Sequence, residues 1–211
     1  MTESNFPKVT IILRGYNFEQ VNTVIQLLEE ENKQEKYALE ITLNSPDVFK
    51  TIKKISNKYG GKFHIGAGTV LNLEDTKRAI QSGAKFILSP IKLEKEVIKY
   101  CNNNNIIVVP AAMTPSEIVE LKTNGADIIK VFPARTVGYK FFSDVQSPLG
   151  KLPLMAVGGI TAENTYAFFE NGASFVGIGS GIFNKEDIIN QDIKNLKKSL
   201  NSFEEKNNIN K

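Results

Sequence analysis

The sequence predicts an α/β fold, a short single-domain (β/α)8 TIM barrel. Three observations lead there. Eight short runs are almost continuously apolar, as strands buried on both faces are. Their first residues lie between 20 and 28 positions apart, room for one strand, one helix and two loops. Three of the segments between them end in the same joint, Gly83-Ala84, Gly125-Ala126 and Gly172-Ala173, just before the next run. A doubly wound open sheet is the main rival, but eight regular units without a dinucleotide fingerprint favour closure.

The runs lie at 9–15, 37–43, 63–70, 86–90, 106–111, 127–133, 154–160 and 175–183, each rich in Ile, Val, Leu or Phe. Helix signals fill the spaces. Ser45-Pro46 offers an N-cap followed by Pro at the first helical position. Thr114-Pro115-Ser116-Glu117 has the spacing of a capping box. Thr161 opens the segment 162–171, and Gly83, Gly125 and Gly172 sit where a left-handed residue closes a helix. The barrel domain is expected over 1–201. The stretch 202–211, dominated by Asn, Lys and Glu, is expected to be a frayed polar tail.

At 211 residues the chain stands near the lower end of the usual barrel range of about 200 to 400. Hydrophobic residues make up 41% and charged residues 23%, ordinary for a globular domain. The 26 Lys and Arg against 23 Asp and Glu leave a net charge of +3, too mild for a nucleic-acid surface. One histidine, His64, and one cysteine, Cys101, cannot supply a His/Cys-rich zinc site or an intrachain disulfide. A Ser-His-Asp triad, which would have to use His64, and a carboxylate-only Mg²⁺ site are left open by this count. No apolar stretch has the length of a membrane span or a signal core, so a cytoplasmic protein without a membrane partner is expected.

Active sites of such barrels lie at the C-terminal ends of the strands. Polar residues inside or just after an apolar run are therefore the informative ones. Lys130 has two apolar neighbours on each side and sits in the C-terminal half of its run. A lysine there either snorkels to the rim or is a desolvated amine with a depressed pKa, as imine formation requires. Lys62 and Lys85 differ, each preceding the first apolar residue of its run. Glu40 is an acid inside an otherwise apolar run. It is either half of a buried ion pair with Arg14 or Lys130, or a general acid/base. Arg14 ends the first run, where its fork can meet a rim carboxylate or a substrate anion. Thr69 follows Gly66 and Gly68, which are expected to keep the backbone open beside its hydroxyl. Gly158, Gly159, Gly179 and Ser180 follow the last two runs, a recurrent phosphate position in barrels, although tight turns alone also demand glycine. His64 is expected to pack near the N-terminal rim, and Cys101 to be inert.

Taken together, Ile12-Leu13-Arg14-Gly15, Leu39-Glu40-Ile41-Thr42-Leu43-Asn44-Ser45-Pro46, Gly66-Ala67-Gly68-Thr69-Val70-Leu71, Ile129-Lys130-Val131-Phe132-Pro133-Ala134, Ala156-Val157-Gly158-Gly159-Ile160 and Gly177-Ile178-Gly179-Ser180 resemble the class I aldolases that cleave 2-keto-3-deoxy-6-phospho-aldonates. That family includes phosphogluconate-type and phosphogalactonate-type members, some also acting on 2-keto-4-hydroxyglutarate. The resemblance implies that Lys130 forms a Schiff base and Glu40 moves protons. Arg14 and Thr69 would hold the keto-acid end, and Gly158, Gly159, Gly179 and Ser180 the phosphate. It implies no cofactor and no metal, a small phosphorylated keto-acid as substrate, and a homo-oligomer, a trimer. Asn44-Ser45 is more like the phosphogalactonate-type branch than the Arg-Thr often found in phosphogluconate-type members. Ala111 stands where a glycine is usual and should narrow the pyruvate pocket. Two other functions compete: a sugar-phosphate isomerase or epimerase using Lys130 as base or clamp, and a non-catalytic phosphosugar-binding protein.

Overall fold

The computed structural model describes residues 5–207. Its elements run in the order β1 (Val9–Leu13), α1 (Phe18–Glu30), β2 (Tyr37–Thr42), α2 (Val48–Tyr59), β3 (His64–Gly68), α3 (Leu73–Gln81), β4 (Phe86–Leu88), α4 (Lys95–Asn103), β5 (Ile107–Val109), β6 (Ala111–Ala112) and α5 (Pro115–Thr123). There follow β7 (Ile129–Val131), α6 (Ala134–Val137), α7 (Lys140–Leu149), β8 (Leu154–Val157), α8 (Thr165–Glu170), β9 (Phe175–Ile178), α9 (Lys185–Ile189) and α10 (Ile193–Asn207).

Every pairing is parallel, and the order is β5-β4-β3-β2-β1-β9-β8-β7-β6. β5 and β6 are one extended stretch interrupted at Pro110, which has no N–H to give to a ladder. That stretch closes the ring, β5 pairing with β4 and β6 with β7. The seam continues through the Lys130 N–H, which donates to the Pro110 carbonyl at 2.9 Å. The result is the predicted barrel, with eight strands once the two halves are joined.

Alternation along the strands sorts side chains between two cores. Ile11, Leu39, Ile41 and Ile65 point outward to the helices, joined by Val24, Leu28, Ile52 and Ile55 from the helix faces. Ile12, Phe86, Leu88, Ile107, Met155 and Val157 point into the barrel. Glu40 and Lys130 belong to the inward set, since Glu40 pairs in register with Ile12 and Lys130 with Met155. Phe6 plugs the N-terminal end of the barrel, edge-on to Phe86, Phe175 and His64 at centroid separations of 5.1, 5.9 and 5.8 Å. His64 thus packs at the lower rim as expected, and desolvation lowers its pKa.

The Thr114 capping box is present: Thr114 Oγ1 accepts from the Glu117 N–H at 3.3 Å, and Glu117 Oε2 accepts from the Thr114 N–H at 2.9 Å. Gly83, Gly125 and Gly172 take positive φ of 100°, 94° and 96° just after their helices. Three expectations are corrected. Ser45 does not cap α2, which begins at Val48 behind Asp47 with no side-chain cap. Its hydroxyl instead accepts from the Gly15 N–H at 2.8 Å. α8 begins at Thr165, three residues later than the expected start at Ala162, because residues 162–164 form a turn behind Thr161, whose N–H donates to Asn164 Oδ1 at 2.8 Å.

The third correction concerns the tail. The boundary expected after residue 201 falls inside α10, which runs to Asn207. Leu196, Leu200 and Phe203 recur at helical spacing and are buried. Glu204, 2% exposed, accepts from Lys33 Nζ at 2.6 Å and from the Tyr37 hydroxyl at 3.2 Å, which fastens α10 across the first unit of the barrel. Residues 208–211 of the expected tail lie outside the described residues.

Candidate active site

The residues singled out in the sequence meet at one end of the barrel. β2 carries Glu40 and β7 carries Lys130, both inward and buried, at 1% and 3% exposure. Arg14 follows β1 and is exposed at the mouth, and Thr69 follows β3 and is half-buried. Gly158 and Gly159 follow β8, and Gly179 and Ser180 follow β9. β8 and β9 are neighbours, with β7 on one side of them and β1 on the other, so the glycine loops lie between the Lys130 and Arg14 sectors.

Burial and charge act in opposition on the central pair. Desolvation raises the Glu40 pKa to about 7, against the pull of Lys130 and then Arg14. Desolvation lowers the Lys130 pKa to about 8, with Glu40 opposing and Arg14 assisting. Glu40 Oε2 is buried and has no hydrogen-bond partner. A buried carboxylate oxygen left open inside a barrel is costly in a structural ion pair and useful in a site that receives a ligand. Lys130 Nζ lies 4.5 Å from the centroid of the Phe132 ring, which forms part of the wall above it. Ala111 is the register partner of Lys130 and is 4% exposed, so the alanine methyl stands on the strand beside the amine.

Two glycines do something other than expected. Gly66 and Gly68 were expected to open the backbone beside Thr69. A Cβ on Gly66 would stand 2.5 Å from atoms of the Phe86 ring, and one on Gly68 would overlap the Glu40 carboxyl group. The pair clears the barrel interior for Phe86 and Glu40. Thr69 itself has φ of 58°, a rare conformation for a β-branched residue, and such local strain concentrates at functional sites. Ser45 ties the mouth of β1 to β2: besides its bond with the Gly15 N–H, its hydroxyl lies 3.2 Å from Thr42 Oγ1. The loop carrying Arg14 is thereby held to the strand carrying Glu40.

At the glycine loops, Gly158 and Gly159 have φ of 95° and 79°. A Cβ on Gly158 would come within 3.2 Å of the Phe132 ring and Pro133 Cα. Among the described residues, no atom beyond its own chain neighbours would lie within 4 Å of a Cβ on Gly179, which is exposed with Ser180. Among the described residues, no group of three or more His, Cys, Asp or Glu side chains is arranged to hold a metal ion, and no helix is long and apolar enough to cross a membrane.

Residues 7–199 match the family described as "Aldolase: KDPG and KHG aldolase". The protein belongs to the KDPG and KHG aldolase family. It is a class I aldolase, a lyase. A protein of Rhizobium meliloti (strain 1021), named a probable 2-dehydro-3-deoxy-6-phosphogalactonate aldolase, is 32% identical over 173 residues, covering 82% of this chain and 80% of that one. The 2-dehydro-3-deoxy-6-phosphogalactonate aldolase of Escherichia coli (strain K12) is 33% identical over 147 residues, covering 69% of this chain and 71% of that one. Among solved structures, one described as native KDPGal superposes with a TM-score of 0.82 at 27% identity, covering 94% of this chain and 95% of that one. The fold and family expected from the motifs are thus borne out.

Sequence reasoning misread the roles of Gly68 and Ser45 and missed Phe132, beside the Lys130 amine, and Arg135, whose N–H donates to the Gly158 carbonyl. Gly68 carried a signal, since a glycine in the middle of a strand marks close approach of another group. Ser45 did not, because Ser-Pro before an amphipathic stretch reads as a helix cap.

Proposed function

We propose that this aldolase cleaves a 2-keto-3-deoxy-6-phospho-aldonate, of the phosphogalactonate type, to pyruvate and glyceraldehyde 3-phosphate through a Schiff base on Lys130, and 4-hydroxy-2-oxoglutarate to pyruvate and glyoxylate by the same route. The observation that carries this reading is the buried pair: an amine of lowered basicity facing a carboxyl of raised basicity that has one oxygen unpartnered. With a pKa of about 8, roughly one Lys130 in ten carries a free amine at pH 7, far more than an ordinary lysine would. With a pKa of about 7, Glu40 is about half protonated there and can both give and take a proton.

The free amine of Lys130 adds to the C2 ketone, and protonated Glu40 supplies the proton with which the carbinolamine loses water. The Glu40 carboxylate then takes the C4 hydroxyl proton, directly or through a water. The C3–C4 electron pair moves into the protonated imine, leaving an enamine, and the phosphorylated aldehyde departs. The enamine takes a proton at C3, and water releases pyruvate and the amine. Arg14 and Thr69 hold the keto-acid end, and Gly158, Gly159, Gly179 and Ser180 hold the phosphate. The similarity to two relatives named phosphogalactonate aldolases and the Leu43-Asn44-Ser45-Pro46 form support that substrate branch. The protein is expected to work as a homotrimer.

Borohydride reduction in the presence of pyruvate tests the reading. One pyruvate-derived mass should appear per chain, on the peptide containing Lys130, and should vanish in Lys130→Ala. Labelling that persists in Lys130→Ala removes the assignment, and no labelling of the native chain favours an isomerase or epimerase acting without an imine.

A further inference from the structure

Arg135, the second residue of α6, touches the glycine loop at two points. Its backbone N–H donates to the Gly158 carbonyl at 3.0 Å. Its side-chain stem lies along Gly159: a Cβ there would stand 2.7 Å from Arg135 Cβ and Cδ and 3.1 Å from Cγ. The residue is exposed, and among the described residues its guanidinium makes no ion pair. By contrast, Glu163, beyond Gly159 on the connection from β8 to α8, is paired with Lys206 at 2.7 Å.

This arrangement adds a charge where the loops have none. Gly158, Gly159, Gly179 and Ser180 offer only neutral donors, whereas a phosphate monoester is close to a dianion near neutral pH. A guanidinium fork matches two phosphate oxygens at once, and its planar head loses less freedom on binding than an ammonium does. An arginine anchored by its own N–H and laid along Gly159 is therefore already attached to the place where such a fork is wanted. Gly159 acquires a second reason to be glycine, since any side chain would push the arginine stem off the loop.

We propose that Arg135 is a further substrate-binding residue, clamping the terminal phosphate from the β7 side and selecting phosphorylated over unphosphorylated 2-keto-3-deoxy-aldonates. The proposal rests on the reading that the two glycine loops hold the phosphate.

The experiment compares Arg135→Gln, Arg135→Lys and Ser180→Asp with the native chain. It uses a 2-keto-3-deoxy-6-phospho-aldonate, its unphosphorylated counterpart, and pyruvate methyl proton exchange, which involves no phosphate. Loss of a charge-assisted contact should lower kcat/KM for the phosphorylated substrate about 10- to 100-fold in Arg135→Gln, mainly through KM. The unphosphorylated substrate and proton exchange should be spared, and Arg135→Lys should recover part of the loss. The proposal is overturned if Arg135→Gln uses the phosphorylated substrate within about twofold of the native chain. In that event, a Ser180→Asp variant that has lost the phosphorylated substrate leaves the loops as the phosphate site without Arg135, whereas an unaffected Ser180→Asp removes the phosphate site itself. Equal loss in all three assays also overturns it, because Arg135 would then be supporting the barrel.

Discussion

The carboxyl group of Glu40 lies in the space that a side chain on Gly68 would fill. β2 and β3 are adjacent, and Gly68 is in register with Thr42, two residues beyond Glu40, so the carboxyl extends toward the mouth over the neighbouring strand. A glycine on one strand thus sets the position of an acid on the next.

Gly68→Ala should therefore displace the acid without removing it. Pyruvate methyl proton exchange should fall about 10²-fold or more, close to the effect of Glu40→Gln, because both changes remove a positioned acid/base. The overpacked interior should also lose about 1–3 kcal/mol of stability. Normal exchange in a folded Gly68→Ala protein would show that the carboxyl has another place to go.

The pH dependence follows from the coupled pair. In the proposed mechanism imine formation needs a free amine on Lys130 and a proton on Glu40, so the reactive form carries one proton on the two groups together. Below about 7 the pair gains a second proton, and above about 8 it loses the last one. The rate of imine formation should be bell-shaped, with its maximum between those limits, and Glu40→Gln should lose the alkaline limb. A rate that is flat from about pH 6 to about pH 9 would count against the pair acting as a unit.

The same shifts make the site a weak point of the fold. Glu40 has a folded pKa above its usual value, so its stability penalty grows as pH rises from about 4.5 to about 7 and then stays in full. Lys130 has a folded pKa below its usual value, so its penalty is complete below about 8 and is relieved as pH rises toward about 10.5. Both penalties are large near neutral pH. The double variant Glu40→Gln/Lys130→Met should be inactive and more stable by about 1–4 kcal/mol, with a higher Tm. A lower Tm would mean that the pair stabilises the barrel more than its burial opposes it.

Ser45→Ala removes the acceptor of the Gly15 N–H and loosens the Arg14 loop. The expected effect is a roughly 3- to 10-fold rise in KM for keto-acid substrates with kcat less affected, as loss of one hydrogen bond of about 1 kcal/mol implies. Unchanged KM would confine Ser45 to local structure.

The barrel and its two buried inward charges were legible for the same physical reason. A strand buried on both faces leaves no ordinary place for a charge, so Lys130 and Glu40 stand out against Ile, Val and Leu. The helix-Gly-Ala joints were equally readable, because the left-handed position after a helix favours glycine. What was not legible depends on partners distant in sequence. Ser45 has the chemistry of a helix cap, and only the approach of β1 shows that its hydroxyl serves Gly15. The α10 tail reads as polar because Phe203 is diluted among Asn, Lys and Glu, and because Glu204 finds Lys33 and Tyr37 only after the chain has come full circle. Arg135 on its own is one more surface cation, and its contact with Gly159 exists only across β7 and β8.

Phe6, wedged against Phe86, Phe175 and His64, stops the barrel at its lower end, which adds a geometric reason to the order that the enamine on Lys130 sets in the proposed mechanism. Traffic to Lys130 must use the upper mouth alone. In the cleavage proposed here the three-carbon keto acid is held deep, on the amine, while the phosphorylated aldehyde lies between it and solvent. The aldehyde must leave first and pyruvate last. In the reverse, carbon-joining direction pyruvate must be loaded before the aldehyde, and an aldehyde that arrives early obstructs the entrance, so excess aldehyde should act as a competitive inhibitor toward pyruvate.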